Sequence, residues 1–336
     1  MAIGFTSLLT ASLCLLASAV QAQDRAGAAP LPDAARGPAI PQDKGYLVEE
    51  LGEGLYWITE GMYQTFFLTT GEGVVVVDAP PSLAQHILKA VSEVTDEPIT
   101  HLVYSHSHAD HIGGAGAFPE GLAVIAHEET AAQLADVADP DRGYPYGIFV
   151  GGGPIPRPTV TFAEEYTLRV GSQVLELKYH GPHHKPGNLY IYAPRQKVLM
   201  VVDIVFPGWV PFKSLALAED TRGFVKAHDV ILSYEFDHYI GGHWGRSGTR
   251  ADVETQKAYI ADVGANAAEA LRSVDFMAIA QEIGFENVEL LLDRYLDAVT
   301  QRCADLTVPK WVSRLGGADV FTFDHCHMLI QSLRID

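Results

Sequence analysis

The chain has 336 residues, 48% hydrophobic and 19% charged, which is enough apolar content to bury a core and rules out a disordered chain. Acidic residues number 42 against 23 basic ones, a formal charge of −19. That balance disfavours a nucleic-acid partner, which needs clustered Lys and Arg, and disfavours docking on an anionic membrane surface.

Residues 1–22 carry no charged side chain, and the stretch from Ile3 to Val20 is mostly Leu, Ala, Ser and Phe. Val20-Gln21-Ala22 places short residues where a signal peptidase cuts, so residues 1–22 read as a signal peptide. Residues 23–44, rich in Ala, Pro and Gly, read as a spacer. The mature chain is therefore expected in a periplasm or outside the cell, with no membrane association after cleavage. Two cysteines remain after cleavage, Cys303 and Cys326. In an oxidising compartment they either pair or stand as two free buried thiols.

The next segments read as strands: 46–51, Leu55–Thr59, 65–70 and Val74–Val77, the last a continuous apolar run suited to a buried strand. Helical spacing of Leu83, Ile87, Leu88 and Val91 predicts a helix over 82–94. Strands follow at 99–104 and 122–126, then a helix at Glu128–Val137 and a Gly/Pro/aromatic loop over 138–157. Strands resume at 166–170, 174–179, 189–192 and 197–202. Helix signals dominate from 252 to 305, and 322–333 reads as one more helix. Two strand-rich halves with interspersed helices predict an α/β sandwich: two mixed sheets packed face to face and flanked by helices. A helical C-terminal region over 251–336 follows a catalytic unit over 45–250. Its apolar spacing (Leu291, Tyr295, Val299) leaves a face to bury beside the site or in a homo-oligomer.

The histidines carry the chemistry. Ser105-His106-Ser107-His108-Ala109-Asp110-His111 directly follows a predicted strand. On extended chain, residues two apart point the same way, so His106 and His108 present imidazoles to one metal. Asp110 and His111 enter a turn or helix start and can face a second. Imidazole with carboxylate suits zinc. His184, in the loop after strand 174–179, Asp203, closing strand 197–202, and His243, after the run 236–240, each lie at a strand's carboxyl end. His127 reads as a structural residue and His183 as a neighbour of the site. His325 and His327, two apart on a helix, face different ways and read as surface or interface residues.

This pattern resembles the metallo-β-lactamase superfamily. His106, His108, Asp110 and His111 match its His-x-His-x-Asp-His block. Gly181 to Gly187 match its Gly-Pro-x-His-x-x-Gly block, and Asp78 matches its early Asp. The resemblance covers roughly residues 45–250. It implies an αββα sandwich and two zinc ions per chain, one on His106, His108 and His184, the other on Asp110, His111 and His243. In many relatives the Asp at position 203 bridges the two. Lys185 stands where a small hydroxyl residue is usual, and Val202 where Gly is common before the bridging Asp. Asp rather than Cys at 203 disfavours the Cys-ligand lactamases. His106 rather than Glu disfavours the di-iron oxygen-reducing branch.

The resemblance also implies a zinc hydrolase in which a metal-bridging hydroxide attacks a carbonyl, with Asp110 or Asp203 orienting it and passing a proton. Aromatic residues of the flanking loops, Tyr144, Tyr146, Phe149, Phe206, Trp209 and Phe212, offer contacts for a small, largely apolar substrate. Arg142, Arg157, Lys185 and Lys213 are the local cations, enough for one carboxylate and too few for a nucleic-acid backbone. An ester, lactone or lactam is the expected substrate. The rivals are β-lactam hydrolysis proper, a mononuclear-iron thiol or persulfide oxygenase, and a non-catalytic metal-binding protein.

Overall fold

The computed structural model describes residues 29–137, 143–244 and 246–335. The expected signal peptide and Arg142 lie outside them. The strands are β1 (Leu47–Gly52), β2 (Leu55–Thr59), β3 (Gln64–Thr69), β4 (Val74–Val77), β5 (Ile99–Val103), β6 (Ala123–His127) and β7 (Val160–Phe162). They continue with β8 (Glu165–Val170), β9 (Gln173–Lys178), β10 (Tyr190–Ala193), β11 (Val198–Met200) and β12 (His238–Ile240). The helices are α1 (Ala84–Val94), α2 (Ala109–Ile112), α3 (Glu128–Val137), α4 (Lys213–Leu217), α5 (Thr221–Leu232), α6 (Arg250–Ser273), α7 (Phe276–Ile283), α8 (Val288–Trp311) and α9 (Ala318–Ile335).

Strands β1 to β7 form one seven-stranded sheet in sequence order. Its first four strands run antiparallel and β4 to β7 run parallel. The second sheet has five strands in the order β12-β11-β10-β9-β8, antiparallel except for the β11–β12 pair. Both sheets are therefore mixed, as expected from the sequence.

The run Val74–Val77 shows why the layers stack. All four valines are buried, and successive side chains point to opposite faces. Val75 and Val77 join Trp57, Phe66, Leu177, Ile191 and Met200 between the sheets. Val74 and Val76 join Leu83, Ile87 and Val91 under α1 on the outer face. A strand covered on both sides needs no polar alternation, hence the unbroken apolar run. The outer face of the second sheet is covered by α5, α6, α8 and α9, so Leu199 and Tyr239 share a core with Phe224, Tyr259, Val263, Val299, Trp311 and Ile330.

The region 252–305, where helix signals dominate, divides into α6, α7 and the start of α8. Val274 and Gly284 end the first two helices, and Asp275 and Asn287 cap the next two through backbone N–H groups. Three elements have no counterpart in the sequence reading, the three-residue strand β7 and helices α4 and α5. Helix α5 buries Phe224, Ala227, His228 and Ile231 along one side, and its N-terminus is capped by Asp220, which accepts from the Gly223 N–H at 2.7 Å. Cys303 and Cys326 are disulfide-bonded, tying α8 to α9. His325 departs from its reading as a surface or interface residue: it is fully buried within the chain, while His327 is exposed. Its ring lies 2.7 Å from the Tyr259 hydroxyl and 3.1 Å from the Phe212 carbonyl.

Candidate metal centre

Residues at the carboxyl ends of β4, β5, β9, β11 and β12 converge at one end of the sandwich. Leaving β5, the chain carries His106 and His108 on extended backbone and turns at once into α2, which carries Asp110 and His111. Asp78, after β4, is fully buried and accepts the Ser105 N–H at 2.8 Å, which fixes the first residue of the ligand loop. Asp78 and Asp203 both adopt left-handed backbone, φ +55° and +64°. Such φ values cost a non-glycine residue energy and persist where the surroundings over-determine them. The Asp203 N–H donates to the Gly241 carbonyl at 3.1 Å, which locks the ends of β11 and β12 together. Gly242 is required here: a Cβ on it would lie 2.7 Å from Val202 Cγ1 and 3.0 Å from His111 Cε1.

Two groups of ligand-type atoms result. His106, His108, His184 and Asp203 form one, and Asp110, His111 and His243 form the other, each with its atoms within 4.8 Å of one another. Asp203 reaches both: Oδ2 lies 3.2 Å from the Nε2 atoms of His184 and His111, and Oδ1 lies 3.0 Å from His243 Nε2. Ring nitrogens approach in pairs at 3.0 Å, His108 Nδ1 to His184 Nε2 and His111 Nε2 to His243 Nε2. His106 Nε2 is fully buried and has no hydrogen-bond partner. A buried imidazole nitrogen left unpaired costs free energy unless something accepts its lone pair. The donor set therefore fits a bound metal cofactor.

The protonation pattern agrees. Burial, then the neighbouring His108 and His184, hold His106 far below the ordinary histidine range, and burial pushes His184 down to about 3. Both are neutral, as a ligating imidazole must be. Burial acts against ionisation of Asp203, but His111, His243 and His184 outweigh it and keep the carboxyl well below its usual range. Burial also opposes charge on His111, yet Asp203 and Asp110 raise it to about 10. A cation binding here must displace that proton.

The sequence reading did not single out Tyr63 or Gln64. The Tyr63 ring packs 4.9 Å from His243 and 5.8 Å from His111. The Gln64 amide nitrogen lies 2.7–2.8 Å from the carbonyls of His243, Trp244 and Arg246, so β3 holds the His243 loop. A Tyr-Gln pair at a strand start has no local signature, so only the fold reveals it.

The expected substrate contacts lie in different settings. Phe149 is 97% exposed, and Tyr144 is exposed as well. Tyr146 donates its hydroxyl to the Ser107 carbonyl at 2.6 Å, which ties its loop to the ligand loop. Phe206 is buried with its ring 5.8 Å from His243 and so backs a ligand. Trp209 stacks on Trp244 at 5.0 Å and donates to the Ala35 carbonyl. Phe212 and Lys213 border α4, a left-handed turn with Ser214, Leu215 and Ala216 at φ near +55°. Helix α9 supports that turn: Phe321 packs on Phe212 at 5.1 Å and Asp324 pairs with Lys213 at 4.0 Å. Lys185 pairs with Glu219 at 2.5 Å, and Arg157 lines a separate cleft of about 420 Å³ with Tyr146 and Ile155. His127 is structural in setting, its ring bonded to the Ala163 carbonyl at 2.6 Å.

Two packed mixed sheets with their strand ends converging on a His/Asp cluster define an α/β sandwich with a candidate metal site at one end. The chain belongs to the metallo-beta-lactamase superfamily, which it matches over residues 58–262. It is 28% identical over 247 residues to the 2,4-dinitroanisole O-demethylase subunit alpha of Nocardioides sp. (strain JS1661), covering 70% of each chain. It is 26% identical over 204 residues to an acyl-coenzyme A thioesterase of Homo sapiens, covering 51% of this chain and 72% of that one. A solved metallo-beta-lactamase from Pontibacter korlensis shares the fold, with a TM-score of 0.53 at 22% identity, covering 63% of this chain and 97% of that one.

Proposed function

We propose that this protein is a dinuclear zinc hydrolase that opens a carboxylic ester, thioester, lactone or lactam bond of a small, largely apolar substrate. The observation that carries the reading is Asp203, whose two oxygens contact both ligand groups at once. His106, His108 and His184 would hold one ion and Asp110, His111 and His243 the other, with Asp203 between them. A bound zinc pair supplies Lewis acidity and brings the pKa of water toward 7.

The chain's own groups divide the remaining work. Asp203, 6% exposed at its side chain, is held on four sides by histidines and acts as a fixed orienting carboxylate. Asp110, 24% exposed, is the carboxylate that solvent reaches, and it carries the proton toward the leaving group. Tyr63 and Phe206 wall the His243 side with apolar surface and limit water there. The exposed Phe149 and Phe212 supply area for an acyl chain or ring. The Cys303–Cys326 disulfide suits an oxidising compartment, so we assign the mature chain to a periplasm or the extracellular space. The apolar residues Val288, Leu290 and Leu292, exposed on α8, support a homo-oligomer through the C-terminal helices.

The thioester enters the substrate class through the human relative. A second reading, demethylation of an aryl ether, is favoured by the Nocardioides relative, which matches 70% of this chain. Purified protein is to be analysed for metal and assayed against esters, thioesters, lactones, β-lactams, aryl methyl ethers and phosphodiesters. Close to two zinc per chain and turnover of a carbonyl substrate are expected. One tightly held iron without zinc, or cleavage of phosphodiesters alone, overturns the reading.

A further inference from the structure

Next to the metal centre, behind the His184 loop, lies a second cleft of about 250 Å³. We propose that it binds a small oxyanion, the phosphate or carboxylate group of a ligand. Its walls include His180, His183, Tyr190, Asp220, Arg222 and Lys226.

Three independent features point to an anion. His183 is 2% exposed, and neither of its ring nitrogens has a hydrogen-bond partner. A buried, unpartnered imidazole lining a cleft is a donor that lacks an acceptor. Arg222 and Lys226 stand four residues apart on α5, one helical turn, and both line the same cleft. The cleft also opens at the amino end of the twelve-residue α5, where N–H groups and the helix dipole favour negative charge.

The lining carboxylate is Asp220, and its Oδ1 is already engaged by the Gly223 N–H at 2.7 Å. The side chains lining the cleft thus include two cations, Arg222 and Lys226, and one carboxylate. Among the described residues, no group of three ligand-type atoms meets there, so a metal is not the fitting occupant. The backbone approaches closely at the mouth: a Cβ on Gly223 would lie 2.0 Å from the Pro182 carbonyl oxygen.

The cleft is wired to the metal centre through backbone. The Asp220 N–H donates to the His183 carbonyl at 3.0 Å, and the Glu219 N–H donates to the His184 carbonyl at 2.9 Å. An anion bridging His183 to α5 would therefore order the loop that carries His184.

The test is calorimetric titration of the purified full chain with inorganic phosphate and, separately, acetate, at low ionic strength. One saturable phosphate site per chain is expected. The double variant Arg222→Gln/Lys226→Gln, and separately His183→Phe, should weaken it about tenfold or more, the effect of losing charge-assisted hydrogen bonds. Arg222 and Lys226 are exposed, so the double variant keeps its fold even if His183→Phe does not. His108→Ala separates the sources of binding. Phosphate held by ions at the metal centre vanishes in that variant and survives Arg222→Gln/Lys226→Gln, whereas phosphate in the α5 cleft behaves in the opposite way. Acetate binding at the same site extends the ligand class to carboxylates, and phosphate binding alone restricts it to tetrahedral oxyanions. No binding to the unaltered chain, or binding indifferent to Arg222→Gln/Lys226→Gln, overturns the proposal.

Discussion

Two sets of buried histidines in this molecule meet opposite fates. At the strand ends, His106 and His184 are sealed from solvent, and each keeps a ring nitrogen without any hydrogen-bond partner. Under the C-terminal helices, His228 and His325 are equally buried, and both nitrogens of each are satisfied. His228 meets the Phe224 carbonyl at 3.1 Å and the Gln256 amide at 2.9 Å. His325 meets the Phe212 carbonyl and the Tyr259 hydroxyl. Burial alone therefore does not mark a functional histidine. What separates a ligand from a structural strut is whether its lone pair is already committed, since an uncommitted one is a standing cost that only a bound group relieves.

The largest expected effect strikes the uncommitted set. His106→Ala should remove most of the metal and lower kcat/KM by more than about a hundredfold, since even residues that only support ligands cost ten- to a hundredfold. Metal analysis with steady-state kinetics checks it, and full metal content in the variant would break the distinction.

The committed set should respond through stability. Cys303→Ser removes a cross-link spanning 23 residues beside His325. Releasing that constraint on the unfolded chain should cost about 3 kcal/mol, with metal content unchanged. Denaturant unfolding under matched conditions measures it.

Acid should act on the committed set as well. Burial holds both His228 and His325 at about 4 in the folded chain, against 6.5 when unfolded. Between those values the unfolded state binds more protons, so stability rises with pH through that window and is lost as pH falls from 6.5 toward 4. Each residue should cost about 2 kcal/mol by pH 5. His325→Gln should show a shallower loss of melting temperature between pH 7 and pH 5 than the unaltered chain. Parallel curves would mean that His325 does not titrate as its burial requires.

The smallest effect belongs to a residue in neither set. Phe149, 97% exposed, should leave stability within about 0.5 kcal/mol when changed to Ala. Its KM for an apolar substrate should still rise a few-fold, and an unchanged KM would remove it from the substrate surface.

Most of this architecture is legible in the chain itself. Val74–Val77 announces a strand buried on both faces, and the alternation of short strands with helical runs announces layered sheets. The positions of the ligand-type residues are legible too, because each stands just after an apolar strand and chain connectivity alone brings strand ends to one edge. Helix α5 escapes such a reading although its apolar spacing and Asp220 cap are present, since His228 occupies a buried position that the pattern counts as polar. His325 reads wrongly for a related reason. Helical geometry correctly separates it from His327, but the face that is buried depends on what α9 packs against.

The sequence by itself determined the layers, the strand-end positions of the histidines and the chemical type of the donors, because periodicity and residue chemistry are local properties. Only the tertiary structure decided that Asp203 touches both ligand groups, that Tyr63 and Gln64 brace His243, that Cys303 meets Cys326, and that His183 faces a cleft beside Arg222 and Lys226. Each of these joins segments far apart in the chain. Whether a nitrogen finds a partner or is left without one is settled by packing across that distance, which no local pattern encodes.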